Sequence, residues 1–292
     1  MKHVLSTEAR PSSVADADDP FRYGWRYVRR TEPDGTVVIA EIPLTLEDLL
    51  YPEEGDFVVH EPWHTQDFTY CYSTLTAWYA DQPEVVVLGD CRVDWGVAGI
   101  RPLGPDIVVL FAVRRWLQQA TFHLAEEGGQ PVLVVEIASP STRRHDLETK
   151  RAFYYRAGVQ TYVIVDRGPE GEAPPRLIGF QRGPMDWVPL PPDARGHVPL
   201  GPVGLALGVE EGRPWLYNTV TGEREPDRPE LQQALAAARA SMQATEARAQ
   251  DAEARAQNAE SRLQDAVQER RQLEARVRAL EEQLRQRPGD AG

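Results

Sequence analysis

The chain has 292 residues, room for one domain of ordinary size and an appendage, and its 41% hydrophobic and 8% aromatic content suits a folded core. A net charge of -13 excludes a surface that holds nucleic acid by bulk attraction, because affinity for phosphate comes from clustered Lys and Arg. Cys71 and Cys91, with no CxxC spacing or Cys/His cluster, exclude a disulfide framework and a structural zinc site, and without a run of about 18 apolar residues or an apolar leader the expectation is a cytoplasmic protein with no membrane partner.

Residues 1–24 are polar and rich in Pro, Asp and Ser, the composition of a disordered tail. From Trp25 the texture changes, and Val37 to Ile39 after the Asp34-Gly35 turn signal predict a strand or hairpin arm, with a short helix at Leu46 to Leu50. Pro62 suits a first helical turn, and Phe68, Cys71, Tyr72, Leu75, Trp78 and Tyr79 recur at steps of three and four, so an amphipathic helix runs to about Ala80. His64 falls on its inward face, a place that suits either a packed core histidine or a site residue. Three strands are expected in succession, Val85 to Leu88, Ile107 to Val113 and Val132 to Ile137, each β-branched and bounded by Gly, Pro or Asp. A helix from about Asp146 to Ala157 stops at Gly158, and the strand Thr161 to Val165 follows at once. That strand, helix, strand order predicts a crossover between parallel neighbours. Residues 170 to about 226 read as short strands around Pro/Gly turns, anchored by Trp187, Leu190 and Trp215.

From Leu235 to Leu284 the positions 235, 238, 242, 245, 249, 252, 256, 259, 263, 266, 270, 273, 277, 280 and 284 alternate steps of three and four, and EARAQDA at 246–252 is echoed by EARAQNA at 253–259. Seven heptads predict a coiled coil and a homo-oligomer assembled through residues 235–284, against the simpler reading of one solvated helix. The seam is alanine-rich in its middle and carries Arg270. The resulting organisation is a disordered tail over 1–24, a mixed α/β domain over 25–227, a coiled coil over 228–287 and a disordered end at 288–292.

Asp106 opens one apolar strand and Glu136 closes another, so antiparallel pairing of the two would bring the carboxylates together. By alternation Asp106 shares a face with Val108 and Leu110, and Glu136 with Val132 and Val134. Buried carboxylates need a cation, and two of them form a hard oxygen site of the kind magnesium prefers. Lysine is almost absent: of 32 basic residues only Lys2 and Lys150 are lysines. A lysine in a fold that otherwise uses arginine suggests a task for a compact ammonium, such as orienting a water or balancing phosphate charge. Pairing with Asp146 one turn earlier on an exposed helix face is the plainer account of it. Arg114 with Arg115, and Arg143, Arg144 and His145 continued by Arg151 and Arg156, are local basic stretches that suit either phosphate contacts or scattered solvation. Asp90 and Asp94 lie before the Asp106 strand, as turn residues or further acids of a site.

The stretch GPDIVVL at 104–110, followed by PVLVVEIASPSTRRHDLETKRAFYYRAGVQTYVIVD at 131–166, resembles the Uma-two family of restriction endonucleases within the PD-(D/E)xK nuclease superfamily. The similarity spans about 37 to 220 and is strongest over 104–166. It implies a restriction-endonuclease-like α/β core with a mixed sheet: a helix, an antiparallel three-stranded meander, a crossover helix and a parallel strand. It further implies that Asp106, Glu136 and the main-chain carbonyl of Ile137 ligate Mg2+ or Mn2+, and that Lys150 serves as the catalytic lysine. The superfamily lysine usually follows the acid by two residues, where this chain has Ala138, so Lys150 stands for a lysine moved to the next helix. His64 matches a histidine often found on the family's first helix. The function implied is hydrolysis of DNA phosphodiester bonds. The acidic surface and long tail also fit a non-catalytic nucleic-acid-binding or scaffold protein of the same fold, and a third possibility is hydrolysis of another phosphate ester.

Overall fold

A computed structural model describes residues 19–171 and 173–285. The expected disordered tail lies outside the described residues up to 18, and the expected disordered end at 288–292 lies wholly outside them. The chain divides into two compact units at Asp227 and Arg228.

The first unit begins with a hairpin of β1 (Gly24–Thr31) and β2 (Val37–Pro43), paired from Trp25↔Pro43 to Thr31↔Val37. Its turn is closed by the Glu32 N–H donating to the Thr36 carbonyl, with Gly35 at a φ of 83° that side chains resist. Helix α1 (Leu46–Leu50) starts on a reciprocal Thr45/Asp48 capping box. Strand β3 (Asp56–Val58) then pairs with the other edge of β1. Arg26 of β1 reaches Asp48 at 2.6 Å, Glu53 at 3.0 Å and Asp56 at 2.8 Å, tying the small sheet to the turns around it.

Helix α2 (Pro62–Trp78) follows, with proline in its first turn and Tyr70, Cys71 and Leu75 buried on one side. A six-stranded sheet forms the centre, built from β4 (Val86–Gly89), β6 (Ile107–Phe111), β8 (Gln130–Ala138), β9 (Thr161–Asp166), β10 (Arg176–Arg182) and β11 (Trp187–Leu190), in spatial order β11-β10-β9-β8-β6-β4. Only β8 and β9 are parallel, because the chain between them must cross one face of the sheet. It does so through a π-helical turn (His145–Thr149) running into α4 (Lys150–Ala157), which ends at Gly158 with φ 87°.

The expected succession of three strands is interrupted. Between β4 and β8 the chain also forms β5 (Arg92–Asp94), β7 (Thr121–His123) and the short α3 (Leu124–Glu127), with β5 and β7 paired in parallel as a separate sheet. Three-residue strands are too short to show a period of two, so alternation passes over them. The 170–226 stretch adds β12 (Val198–Pro199), β13 (Leu205–Glu210) and β14 (Arg213–Asn218), a three-stranded antiparallel sheet.

Two apolar layers sandwich the central sheet. On one side Cys71 and Leu75 of α2 and Leu205 and Leu216 of the small sheet pack on Ile107, Val109, Leu133, Val135 and Val163. On the other, Tyr154 of α4 packs with Val108, Leu110, Val134, Tyr162 and Ile164. A bulge corrects one expectation. Val109 pairs with Leu133 but Leu110 with Pro131, so Val132 is an extra residue and joins the α2 side with Leu133. Glu136 therefore follows Val134 and Ala138, not Val132, in facing α4.

The second unit is one helix, α5 (Arg228–Arg285), of 58 residues. Seven of its large apolar side chains are exposed, from Leu235 at 51% to Met242 at 72%. No helix among the described residues is long and apolar enough to cross a membrane.

Candidate active site

The sheet register brings the two acids together. Ile107 pairs with Val135, so one step further along the antiparallel ladder Asp106 stands opposite Glu136, and opposite residues project to the same face. The ladder ends there: Pro105 precedes Asp106, and the Ile137 N–H donates to Asp106 Oδ2 at 2.6 Å instead of to β6 backbone. A strand residue sends its N–H and C=O to the same side, so the Ile137 carbonyl also faces Asp106. The Asp106 N–H lies 3.4 Å from Glu136 Oε2. The Asp106 carbonyl accepts from the N–H of Asp90, which has a φ of 47° and so turns the chain sharply out of β4.

The crossover helix supplies the cation. Lys150 Nζ is 2.9 Å from Glu136 Oε2 and 3.0 Å from Asp146 Oδ1. The plainer sequence account put this lysine on an exposed face; it is 4% exposed, and Asp146 is 1% exposed. Both accounts of its partner hold at once, because the helix lies with that side against the sheet. Tyr154, one turn further on, donates its hydroxyl to Glu136 Oε1 at 2.5 Å. Asp146 is held in turn by the Thr142 hydroxyl at 2.9 Å, and its carbonyl accepts from Tyr162 at 2.8 Å.

From the opposite face of the sheet, the first turn of α2 places His64 Nε2 3.5 Å from Asp106 Oδ2. Its ring stacks on His60 at 4.4 Å with planes 6° apart. The structure thus brings His64, Asp106, Glu136, Ile137 and Lys150 into one place. Asp90 is adjacent through its backbone; Asp94 is not, since it caps Gly96 and faces His123 at 3.5 Å. The basic stretches do not form one patch. Arg143 is bound to buried Asp166 at 2.7 and 3.0 Å, Arg144 pairs with Glu148, Arg156 donates to the Ala98 carbonyl, and Arg114 to the Ala125 carbonyl.

Charge and burial separate the two acids. Burial disfavours ionisation of Asp106, but the charge and hydrogen bond of His64, then Lys150 and the Ile137 N–H, outweigh it and hold its carboxyl at about 2. Glu136 is pushed up instead, first by burial and then by the neighbouring Asp106 and Asp146, against the opposing pull of Lys150 and Tyr154. Burial would neutralise Lys150, yet Asp146, Glu136 and Asp106 together raise its pKa above the ordinary lysine value, so it stays an ammonium. His64 is likewise raised: burial opposes its charge and Asp106 overcomes that.

A divalent cation fits this donor set. Three carboxyl groups crowd around one ammonium and one imidazole in a largely buried place; burial and then this crowding push Glu136 and Asp146 up, and a divalent cation beside them would relieve that repulsion. Asp106 keeps 18% of its side chain open, while Glu136 is nearly closed off. A carboxylate offers about four lone-pair sites, so the hydrogen bonds to Asp106 and Glu136 leave acceptor capacity on each. Among the described residues no three His, Cys, Asp or Glu side chains are grouped as a complete metal site. The groups that could donate to such a cation are the carboxylates of Asp106 and Glu136 and the Ile137 carbonyl, a partial shell that would leave positions for water.

Sequence reasoning passed over Tyr154 as a partner of Glu136 and His60 as a neighbour of His64. The signal for Tyr154 was present in its spacing: Asp146, Lys150 and Tyr154 recur every four residues, one helix face, and all three are ionisable. His60 precedes α2 by two residues and only the stacking reveals it.

Comparison with known proteins adds the following. The family described as "Uma2: Putative restriction endonuclease" matches residues 54–214, more than half of the chain. No curated protein matches. Among solved structures the chain is similar to "a putative nuclease belonging to DUF820" from Anabaena variabilis, with 16% identity over 54% of this chain and 89% of that one and a TM-score of 0.39.

Proposed function

The chain belongs to the Uma2 family of restriction-endonuclease-like proteins, and from that premise we propose that it is a Mg2+-dependent endonuclease, able to use Mn2+, that hydrolyses phosphodiester bonds of DNA. The observation that carries this reading is the register that sets Asp106 opposite Glu136 with the Lys150 ammonium 2.9 Å from the latter.

Asp106, Glu136 and the Ile137 carbonyl would hold the cation. When bound, such an ion supplies Lewis acidity and lowers the pKa of a coordinated water. Lys150 stays protonated, so its part is electrostatic: it steadies negative charge developing on the phosphate and orients the attacking water, and it is not the base. Asp146 and Glu136 fix the ammonium from two sides. Tyr154 fixes the Glu136 carboxylate, and His64 with the Ile137 N–H fixes that of Asp106. Each of these contacts reduces the reorganisation needed during reaction.

We assign this activity to residues 25–227 and self-association to the coil at 228–287, of which 286–287 lie outside the described residues. Both cysteines are free thiols, in keeping with a cytoplasmic setting. Purified protein is expected to nick or linearise supercoiled plasmid with Mg2+ and to lose that activity in Glu136→Ala. Equal cutting by the two proteins would remove the assignment. Mn2+ binding in calorimetry that survives Asp106→Asn, with no cleavage by the unaltered protein, would favour the non-catalytic scaffold.

A further inference from the structure

The long helix α5 carries its own instruction for a partner. Seven large apolar side chains on it are more than half exposed: Leu231, Leu235, Met242, Leu263, Leu273, Val277 and Leu280. With Leu235 as heptad position a, every one of them falls at a or d, a single seam along the helix.

The charges beside that seam are sorted by side. The g positions preceding successive a residues carry Arg248, Arg255, Arg262, Glu269 and Arg276. The e positions following successive d residues carry Glu246, Glu253, Glu260, Val267, Glu274 and Glu281, after an initial Arg239. In a parallel pair of helices, g meets the e' residue five positions later on the partner, which matches Arg248 with Glu253, Arg255 with Glu260 and Arg276 with Glu281, each twice by symmetry. In an antiparallel pair, g meets g' and e meets e', setting arginine against arginine and glutamate against glutamate.

The one like-charged parallel match, Glu269 with Glu274, coincides with the one basic seam residue, Arg270. An a side chain packs between the flanking residues of the other helix, so Glu269 of one copy lies beside Arg270 of the other. Glu274 already pairs with Arg270 and Arg278 of its own helix at 3.5 and 4.0 Å. Arginine at a favours two strands, where the seam stays near water, over three or four.

We infer that α5 docks with α5 of a second copy of this chain as a parallel, in-register two-stranded coiled coil. The inference rests on the self-association reading above and adds orientation and copy number to it. Each α5 begins one residue after the first unit ends, so both nuclease units of the pair are attached at the same end of the coil.

The test uses the full chain carrying Leu231→Cys or Leu280→Cys, both at d, with the unaltered chain as control for the buried Cys71 and half-buried Cys91. Light scattering is expected to give the mass of two copies. Under mild oxidation each variant alone is expected to form a disulfide-linked dimer absent from the control. In an antiparallel pair these positions would lie roughly 70 Å from their own counterparts, at 1.5 Å per residue. Linkage only on mixing the two variants would therefore overturn the parallel orientation, and a dimeric mass without linkage in any combination would overturn the seam. A mass of one copy would remove self-association with it, and a mass above two copies would overturn the copy number.

Discussion

Two ion pairs on one helical segment have the same spacing and opposite physics. Arg144 and Glu148 stand four residues apart with side chains 86% and 66% exposed; Asp146 and Lys150 stand four apart with 1% and 6%. The exposed pair exchanges water for a partner at little net gain. The buried pair cannot regain water, so each member depends on the other for its charge, and Lys150 on Glu136 as well. Burial, not spacing, converts a helix decoration into a component of a site.

The strongest way to break that contrast is Lys150→Ala. It leaves Glu136 and Asp146 buried without their cation, and the expected cost is about 3–5 kcal/mol in urea unfolding at neutral pH, together with loss of cleavage. A cost under about 1 kcal/mol would show that the carboxylates simply take up protons. A second measurement concerns Asp166, whose carboxyl is 0% exposed and is held at about 2 because hydrogen bonds from Arg143, Arg176 and the Gly168 N–H outweigh its burial. A depressed folded-state pKa gives stability that is present above the unfolded value and lost as pH falls through the folded one. The expected loss is on the order of 2 kcal/mol between about pH 4 and pH 2, and Arg143→Ala should flatten it in acid titration of the fold. If the variant and the parent lose stability equally over that range, the arginine is not the cause.

Smaller again is Tyr154→Phe, which leaves Glu136 Oε1 without its donor at an expected cost of about 1–2 kcal/mol. Its signature beyond stability is weaker Mn2+ binding by calorimetry, since a freed Glu136 no longer holds one orientation. Unchanged Mn2+ affinity would reduce the tyrosine to a packing residue. At the bottom of the scale, Arg144→Ala should change the unfolding free energy by no more than about 0.5 kcal/mol and leave cleavage unaltered. A large effect there would erase the distinction between the two pairs.

Much of the fold is legible because its signals are local. β-branched runs mark β6, β8 and β9, Pro62 and Gly158 mark helix ends, and the places of Asp106 at the start of one strand and Glu136 near the end of another suffice to set them side by side once antiparallel pairing is assumed. The rarity of lysine singles out Lys150. What escapes is set by contacts distant in sequence. No pattern announces that the helix begins with a π turn or that Asp146 is buried, and the four-residue spacing that sets Tyr154 on the face of Lys150 does not by itself name Glu136 as its partner. The same holds for Arg143, which reads equally as a phosphate contact or a solvated arginine until Asp166 is found beside it, 23 residues later.

The extra residue at Val132 has a consequence for how this sequence can drift. Side chains in a strand alternate two by two, so a single insertion or deletion normally inverts everything beyond it. The bulge lets the halves of β8 keep separate counts. A residue added or removed in the first part of β8 can be absorbed by doubling or losing that bulge, while the segment from Leu133 onward stays clamped between β6 and β9. The start of β8 is thus free to gain or lose one residue without turning Glu136 over to the α2 side.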